Sequence, residues 1–258
     1  HLSIHDQHGT SANPITIQAY PGEKPILDLS NFTTTISDPT AVKLENVSYL
    51  RLKGLRITGL KQIPSGAGVS RGLELSNSDN NTIEQVEVDH IGGYGFITSN
   101  SDNNLFLNDD AHHLDDRYTT DGGAWGNANG FQSTGDGNTS TGNTYDGCRA
   151  WAISDDGFDF YGTDGLVTIR NSWSFWNGYT PSLTDNSVVF TPTGDGDGFK
   201  LGPDSSRYTG TSVYHNQIRR ILSNNIAFEN KQHGFNQNAG DVRMQLYNNT
   251  SYKNGQKG

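Results

Sequence analysis

Short runs of β-branched and aromatic residues alternate with Gly, Asn, Asp and Ser along the whole chain, and helical periodicity is weak. This pattern predicts many short strands. One motif within it has an Asn, an aromatic residue four positions later and a second Asn two positions after that. Full copies occupy residues 171–177, 224–230 and 248–254. Asn224 and Asn248 are 24 residues apart, and the weaker copies at Gln85 and Asn108 are 23 residues apart.

A second motif, Gly followed by Phe or Leu, recurs once between successive copies of the first. It begins at Gly72, Gly95, Gly130, Gly157, Gly198 and Gly234. A propeller blade would need a period of about 40 to 50 residues. A period near 24 residues instead indicates a solenoid in which each repeat is one coil of short strands.

The sequence therefore predicts an all-β right-handed parallel β-helix, with residues 1–258 forming a single domain with inserted loops. Each coil is expected to contain three short strands. Asn side chains at one bend of successive coils can bond to one another as a ladder. We expect one internal column of aromatic rings and one Asn corner, formed respectively by Phe131, Phe158, Phe199 and Phe235 and by Asn171, Asn224 and Asn248.

Composition and net charge exclude some classes of fold and function. Only 32% of the residues are hydrophobic, which suits the narrow core of a repeat fold. The net charge of -10 argues against nucleic-acid binding. Cys148, the single cysteine, is expected to be buried, and no apolar run has transmembrane length. No signal peptide is visible and the sequence starts abruptly at His1, so we expect a chain trimmed at one or both ends. We also expect a secreted monomer with no membrane partner.

Three insertions interrupt the repeat, between Asn108 and Gly130, between Asn177 and Gly198, and between Lys200 and Asn224. We expect these loops to form walls around the central Gly-Phe strands. Aromatic residues in or beside the loops are candidates for stacking on sugars, with packing as the equal alternative: Trp125, Trp176 and Tyr179.

Two columns follow from aligning the coils on the Gly-Phe pair. Because alternate residues of a strand face opposite sides, the residue after Phe should point outward. This outward column comprises Glu74, Ile97, Gln132, Asp159, Lys200 and Asn236. The residue before Gly forms the pre-glycine column, which we expect a bend at Gly to turn to the surface. Its members are Arg71, Tyr94, Asn129, Asp156, Asp197 and His233.

The segment from Ser154 to Asp159 brings three carboxylates, Asp155, Asp156 and Asp159, to one coil, and Asn129 adds a side-chain oxygen from the coil before. Calcium accepts six to eight oxygen ligands in loose geometry. A solvated acidic turn is the alternative, but clustered carboxylates repel one another and a cation relieves that repulsion. We therefore predict a Ca²⁺ site.

These segments resemble polysaccharide lyase family 9, whose members are pectate lyases with a β-helix of ten coils. The resemblance covers nearly the whole chain: Ser-Asp-Asp-Gly-Phe-Asp at 154–159, Gly-Asp-Gly-Asp-Gly-Phe-Lys-Leu-Gly at 194–202, Asn-Pro-Ile-Thr-Ile-Gln-Ala-Tyr-Pro-Gly-Glu-Lys-Pro at 13–25 and Arg-Asn-Ser-Trp-Ser-Phe-Trp-Asn-Gly at 170–178. It implies that Asp155, Asp156 and Asp159 bind calcium and that Lys200 is the general base. Asn129 stands where the family usually has Asp.

The implied reaction is β-elimination on polygalacturonate, in which a base removes the C5 proton and a cation stabilises the charge that develops. Calcium would also bridge an acidic protein to an acidic polysaccharide. The alternatives are a lyase on another uronate polymer such as alginate, a glycoside hydrolase using the same carboxylates, and an inactive carbohydrate-binding relative. The cations that bind substrate carboxylates stay open among Arg207, Arg219, Arg220 and Lys231.

Three further sequence features are weaker candidates for a functional role. The acidic and histidine-rich segment at 109–116 is expected to be structural or solvated. His233 is expected to be structural, with a sugar contact as the alternative. Asp195 and Asp197 are minor candidates for contact with a second cation.

Overall fold

The computed structural model describes residues 1–64, 68–120, 123–134, 140–182, 184–202, 217–238 and 242–255. All regular elements in these ranges are strands, numbered in chain order. A helix long and apolar enough to cross a membrane is not found there.

Three parallel sheets contain eight described strands each, and one strand from each sheet forms a coil. The first sheet comprises β1 (Leu2–His5), β4 (Thr40–Glu45), β7 (Ser70–Ser76), β10 (Gly93–Ser99), β13 (Phe131–Thr134), β16 (Phe158–Gly162), β21 (Phe199–Lys200) and β24 (Phe235–Asn236). The second comprises β2 (Ile15–Gln18), β5 (Leu50–Lys53), β8 (Thr82–Glu84), β11 (Leu105–Leu107), β14 (Asn143–Asp146), β17 (Val167–Arg170), β22 (Ile218–Ser223) and β25 (Arg243–Tyr247). The third comprises β3 (Ile26–Asp28), β6 (Arg56–Thr58), β9 (Glu87–Asp89), β12 (Asp110–Leu114), β15 (Arg149–Ile153), β18 (Trp173–Phe175), β23 (Ile226–Phe228) and β26 (Thr250–Tyr252). The predicted parallel β-helix is confirmed.

A continuous stack of phenylalanine rings fills the core beneath the first sheet. Ring centroids are 4.8 Å apart between Phe131 and Phe158, 4.7 Å between Phe158 and Phe199, and 4.9 Å between Phe199 and Phe235. Phe96 extends the stack by one coil, 4.8 Å from Phe131. The predicted internal column is therefore confirmed. Cys148 is buried, also as predicted.

Glycine precedes these phenylalanines because the chain packs tightly at that point. A Cβ atom on Gly130 would lie 2.5 Å from the carbonyl oxygen of Gly157 and 2.9 Å from Cβ of Ala150. The backbone of Gly130 is not in the left-handed region. Close approach between coils, rather than a special backbone conformation, thus excludes a side chain.

The predicted asparagine corner is also present. Asn171, Asn224 and Asn248 all have left-handed backbone conformations, with φ of 56°, 58° and 51°. Asn tolerates this region better than most residues. The Asn224 amide donates to Asn171 Oδ1 at 3.3 Å, and the Asn248 amide donates to Asn224 Oδ1 at 2.9 Å. The second Asn of the motif forms a parallel internal ladder, in which Asn177 donates to Asn230 and Asn230 to Asn254, each at 2.9 Å.

The insertion between Asn177 and Gly198 forms an antiparallel hairpin of β19 (Tyr179–Pro181) and β20 (Val188–Pro192). The rings of Tyr179 and Phe190 pack in a T-shaped arrangement, with their centroids 5.2 Å apart. The insertion after Lys200 lies mostly outside the described residues.

Candidate active site

Lys200 and Asp159 are adjacent on the face of the first sheet. The register pairs Phe158 with Phe199 and Asp159 with Lys200. The same register continues from Lys200 to Asn236 and from Asp159 to Gln132. Sequence alignment of the coils therefore predicted these neighbours correctly.

The expectation that the pre-glycine column turns to the surface is wrong for its central members. Asn129, Asp156 and Asp197 are only 2%, 0% and 1% exposed. Each can be buried at low cost because one side-chain oxygen accepts a backbone N–H of the following coil. Asn129 Oδ1 accepts from Asp156 N at 3.1 Å, Asp156 Oδ1 from Asp197 N at 2.7 Å, and Asp197 Oδ1 from His233 N at 3.0 Å. We call this arrangement the carboxylate ladder.

Three carboxylates converge beside this ladder. One oxygen each of Asp155, Asp156 and Asp195 lies within 4.8 Å of the other two. Lys200 Nζ lies 3.0 Å from Asp156 Oδ2 and 3.0 Å from Asp195 Oδ2. Asp195 was only a minor candidate from the sequence, yet the structure brings it directly to Asp155 and Asp156.

Asp195 reaches the cluster because the chain after the hairpin folds back onto Asp155. The backbone N–H of Asp195 donates to Asp155 Oδ1 at 2.6 Å, and that of Gly194 donates to the carbonyl of Ser154 at 2.8 Å. Lys231 Nζ donates to the carbonyl of Thr193 at 3.1 Å. Lys231 is therefore engaged in holding this segment, although it was a candidate for binding substrate.

Asp159 lies beside the cluster but is 6% exposed, whereas strand alternation predicted that it faces solvent. Its Oδ1 accepts the backbone N–H of Tyr161 at 2.6 Å, and its Oδ2 accepts the amide of Asn129 at 3.2 Å. Asn129 thus presents a donor nitrogen to Asp159, because its oxygen already serves the ladder. The assignments of Asp159 and Asn129 as calcium ligands stay predictions.

The cluster is short of positive charge. Burial, reinforced by the charge of Asp156, raises the pKa of Asp155 well above its usual value. Burial likewise raises the pKa of Asp156 to about 8, although Lys200 opposes this shift. Burial also acts to lower the pKa of Lys200, but the charges of Asp159, Asp156 and Asp155 outweigh it and raise that pKa. One ammonium therefore faces several buried carboxylates.

This donor set fits a divalent cation that prefers oxygen. Asp156 Oδ2 is buried and accepts no hydrogen bond, although Lys200 Nζ lies nearby. Hard carboxylate oxygens are the ligands that calcium takes. A cation at Asp155, Asp156 and Asp195 would offset the cost of burying the first two charges and the mutual repulsion of all three.

A second group of potential metal ligands, Glu87, Asp89 and His112, is already neutralised. Arg56 donates to both oxygens of Asp89, at 2.7 and 3.0 Å, and His90 Nδ1 lies 2.5 Å from Asp89 Oδ1. The pKa of Asp89 is lowered: hydrogen bonds from His90, Arg56 and Thr58 overcome the effect of burial. This group is an ion network of the third sheet.

The histidine-rich segment at 109–116 is structural, as expected, but it is buried rather than solvated. Its last residue, Asp116, supports the candidate site, a role that the sequence did not indicate. Asp116 Oδ1 accepts from Ser154 Oγ at 3.2 Å, and its Oδ2 accepts from Asn127 N at 3.0 Å. Asp116 therefore ties the first insertion to the coil that carries Asp155.

The other residues named from sequence have mainly structural contacts. Arg219 and Arg220 are 1% and 0% exposed, so they cannot meet a polymer at the surface. The Trp176 indole donates to Glu229 at 3.0 Å. His233 Nδ1 lies 2.8 Å from Asp197 Oδ1, which agrees with a structural role. Arg207 lies outside the described residues.

Fold and site together define a parallel β-helix protein with a lysine and a candidate cation site on one sheet face. Residues 1–258 match the model of the family described as "Pel9A-like, right handed beta helix region", and the chain belongs to this family. The match confirms the right-handed β-helix and the resemblance found in the sequence.

Three relatives are informative. Pectate lyase L of Paenibacillus polymyxa (strain SC2) is 34% identical over 264 residues, covering 96% of this chain and 51% of that protein. The crystal structure of pectate lyase Pel9A matches with a TM-score of 0.74 and 27% identity, over 98% of this chain and 56% of that chain. A structure of a rhamnogalacturonan lyase matches with a TM-score of 0.79 and 28% identity, over 97% of this chain and 60% of that chain. The chain spans about half the length of the curated relatives it matches.

Proposed function

We propose that this chain carries the catalytic site of a calcium-dependent lyase that cleaves polygalacturonate by β-elimination, with Lys200 as the general base. The observation that carries the proposal is the position of Lys200 Nζ, 3.0 Å from Asp156 and directly beside the cluster of Asp155, Asp156 and Asp195. A lyase needs a base and a cation side by side, whereas hydrolysis requires no lysine there. The names of the pectate lyase relatives support the same substrate class.

Asp155 and Asp156 would hold the calcium, with Asp195 and Asp159 as the nearest further carboxylates. Bound calcium would supply positive charge that stabilises the negative charge developing on the uronate as its C5 proton leaves. Lys200 would take that proton through its amine. Neutralising the carboxylates removes the charge that keeps a proton on Lys200, so calcium binding and base activity should depend on each other.

The test is incubation of the protein with polygalacturonate, in calcium or in chelator, with ultraviolet absorbance to detect unsaturated product. We expect product only with calcium. Asp156→Ala should sharply weaken calcium binding measured by calorimetry, because it removes a buried ligand oxygen. Saturated products with new reducing ends, formed in chelator, would instead support a hydrolase that uses the aspartates as acid and base.

A lyase acting on the rhamnogalacturonan backbone is the second candidate. The similarity to a rhamnogalacturonan lyase, at a TM-score of 0.79, favours it specifically. Parallel assays on polygalacturonate and on rhamnogalacturonan separate the two, because only the true substrate should yield unsaturated product efficiently. Either substrate is an extracellular polymer, so secretion stays part of the proposal; the monomeric state stays a prediction.

A further inference from the structure

Arg71 lies on the same sheet face as the candidate cation site. It belongs to the pre-glycine column and pairs with Tyr94 in the strand register. Asn129 and Asp156 follow Tyr94 in that column on the next two coils. The backbone N–H of Gly95 donates to the carbonyl of Asn129, and that of Gly130 donates to the carbonyl of Asp156. Three strand spacings therefore separate Arg71 from Asp156, which is about 14 Å along the helix axis.

The guanidinium of Arg71 differs from the other arginines on the surface of the helix. Its Nε is buried and has no hydrogen-bond partner, and its Nη1 makes only a 3.5 Å contact with the carbonyl of Asp38. Among the described residues, no carboxylate forms an ion pair with Arg71. By contrast, ion pairs with Asp or Glu engage Arg51, Arg56, Arg117, Arg149 and Arg170.

Arg71 lines a cavity of about 350 Å³, which we call the Arg71 pocket. Its walls are Ser37, Asp38, Gly68, Val69, Arg71, Tyr94, Thr119 and Asn127. The carboxylate of Asp38 is already occupied, since it accepts from Val69 N at 2.8 Å and from Ser37 Oγ at 3.1 Å. Arg71 therefore still has hydrogen-bond donors to offer in this pocket.

Tyr94 connects the Arg71 pocket to the cation site. Tyr94 lines the Arg71 pocket and pairs with Arg71 in the strand register. On its other side, the following residue, Gly95, donates its backbone N–H to the carbonyl of Asn129, one coil before Asp156. A polymer that leaves the cation site along the first sheet would pass Tyr94 before it reaches Arg71.

We propose that the Arg71 pocket is a subsite for the carboxylate of a uronate unit several units away from the bond that is cleaved. The inference rests on the proposed function, because it requires an acidic polysaccharide on this face. A guanidinium can bind a carboxylate through two parallel hydrogen bonds. The chain has a net charge of -10 and therefore repels a polyanion overall. A cation on this face that is not paired with a carboxylate would provide local attraction for an acidic polysaccharide.

Arg71→Ala should raise the KM for polygalacturonate about tenfold, equivalent to about 1.4 kcal/mol. The kcat should stay close to that of the unaltered protein, because Arg71 does not touch the reacting atoms. Trigalacturonate is too short to span three coils from the cation site, so its KM should not change. Arg71→Lys should recover part of the loss. Arg170→Ala, which removes the same charge from an ion pair with Asp146 on the second sheet, is the matched control.

The two proposals fail in different ways. Unsaturated product with an unchanged KM in Arg71→Ala would overturn the subsite and leave the lyase intact. Absence of unsaturated product from the unaltered protein would overturn the lyase. In that case, calorimetric binding of polygalacturonate in calcium still decides the subsite: equal affinity of Arg71→Ala and the unaltered protein refutes it, and weaker affinity supports it. An equal loss on trigalacturonate would show a general defect of the fold and would also refute it.

Discussion

Replacement of Lys200 separates its charge from its basicity. The Lys200→Ala variant removes both. Lys200→Arg keeps the positive charge but cannot act as a base, because a guanidinium does not lose its proton in the pH range of the assay. General base catalysis contributes about 10²- to 10⁴-fold in rate. We therefore expect both variants to lose at least about 10²-fold in turnover on polygalacturonate. Lys53→Ala, which breaks an ion pair with Glu84 on the second sheet, is the matched control and should retain turnover.

The same variants should differ in calcium binding. Lys200 Nζ lies 3.0 Å from both Asp156 and Asp195, whose oxygens a calcium ion would also need. Lys200→Ala removes this competing cation and should bind calcium at least as tightly as the unaltered protein. In chelator, Lys200→Ala should lose at most about 3–5 kcal/mol of unfolding free energy, the range for breaking a buried pair, because Asp156 can take up a proton instead. Calcium should restore most of that loss.

The decisive measurements are turnover by ultraviolet absorbance, calcium titration by calorimetry and denaturant unfolding with and without calcium. If Lys200→Arg kept most of the turnover, the residue would supply only charge. The base would then have to be another group on this face. Weaker calcium binding by Lys200→Ala would refute the competition between the ammonium and the ion.

Two further predictions concern the fold. Phe158 is fully buried between Phe131 and Phe199, so Phe158→Ala should cost about 3–5 kcal/mol of unfolding free energy, whereas Tyr20→Ala, at a residue 74% exposed, should stay within about 0.5 kcal/mol; equal denaturation midpoints would contradict this. His90 has a raised pKa, mainly because it bonds to Asp89, and its Nε2 also lies 3.1 Å from the carbonyl of Asp185 in the hairpin loop. The protonated ring can donate to both acceptors, so its stabilisation is complete below the unfolded pKa of about 6.5 and is lost as pH rises through the folded pKa. The melting-temperature difference between the unaltered protein and His90→Gln should therefore shrink with rising pH; a constant difference would count against the role of the charge.

The architecture could be predicted from the sequence because the same motifs recur in successive coils. Aligning the coils on Gly-Phe correctly placed Phe158 beneath the first sheet and Asp159 beside Lys200. Successive coils pack in the same way, so they repeat the same sequence motifs. A strand register that one coil indicates only weakly becomes clear when several coils are aligned. The Asn corner followed from the same logic.

What the repeat does not encode could not be predicted. Asp195 enters the candidate site through an insertion, and the path of an insertion depends on contacts such as that between its backbone N–H and Asp155 Oδ1. The burial of Asp156 was missed because we expected a bend at Gly157 to turn its side chain to the surface, whereas the side chain is fully buried. In this helix, one of its oxygens replaces a hydrogen bond that the backbone would otherwise make to water.

The carboxylate ladder also has a consequence for how this surface can evolve. Each member gives one oxygen to the main chain of the following coil, and an amide oxygen serves this purpose as well as a carboxylate oxygen. Asn129 demonstrates the exchange, since it accepts from Asp156 N while carrying no charge. Asp and Asn are therefore interchangeable as acceptors of this one backbone bond, whereas only Asp adds negative charge. A single exchange of Asp for Asn at such a position would thus change the charge of the groove and keep the backbone bond between the coils.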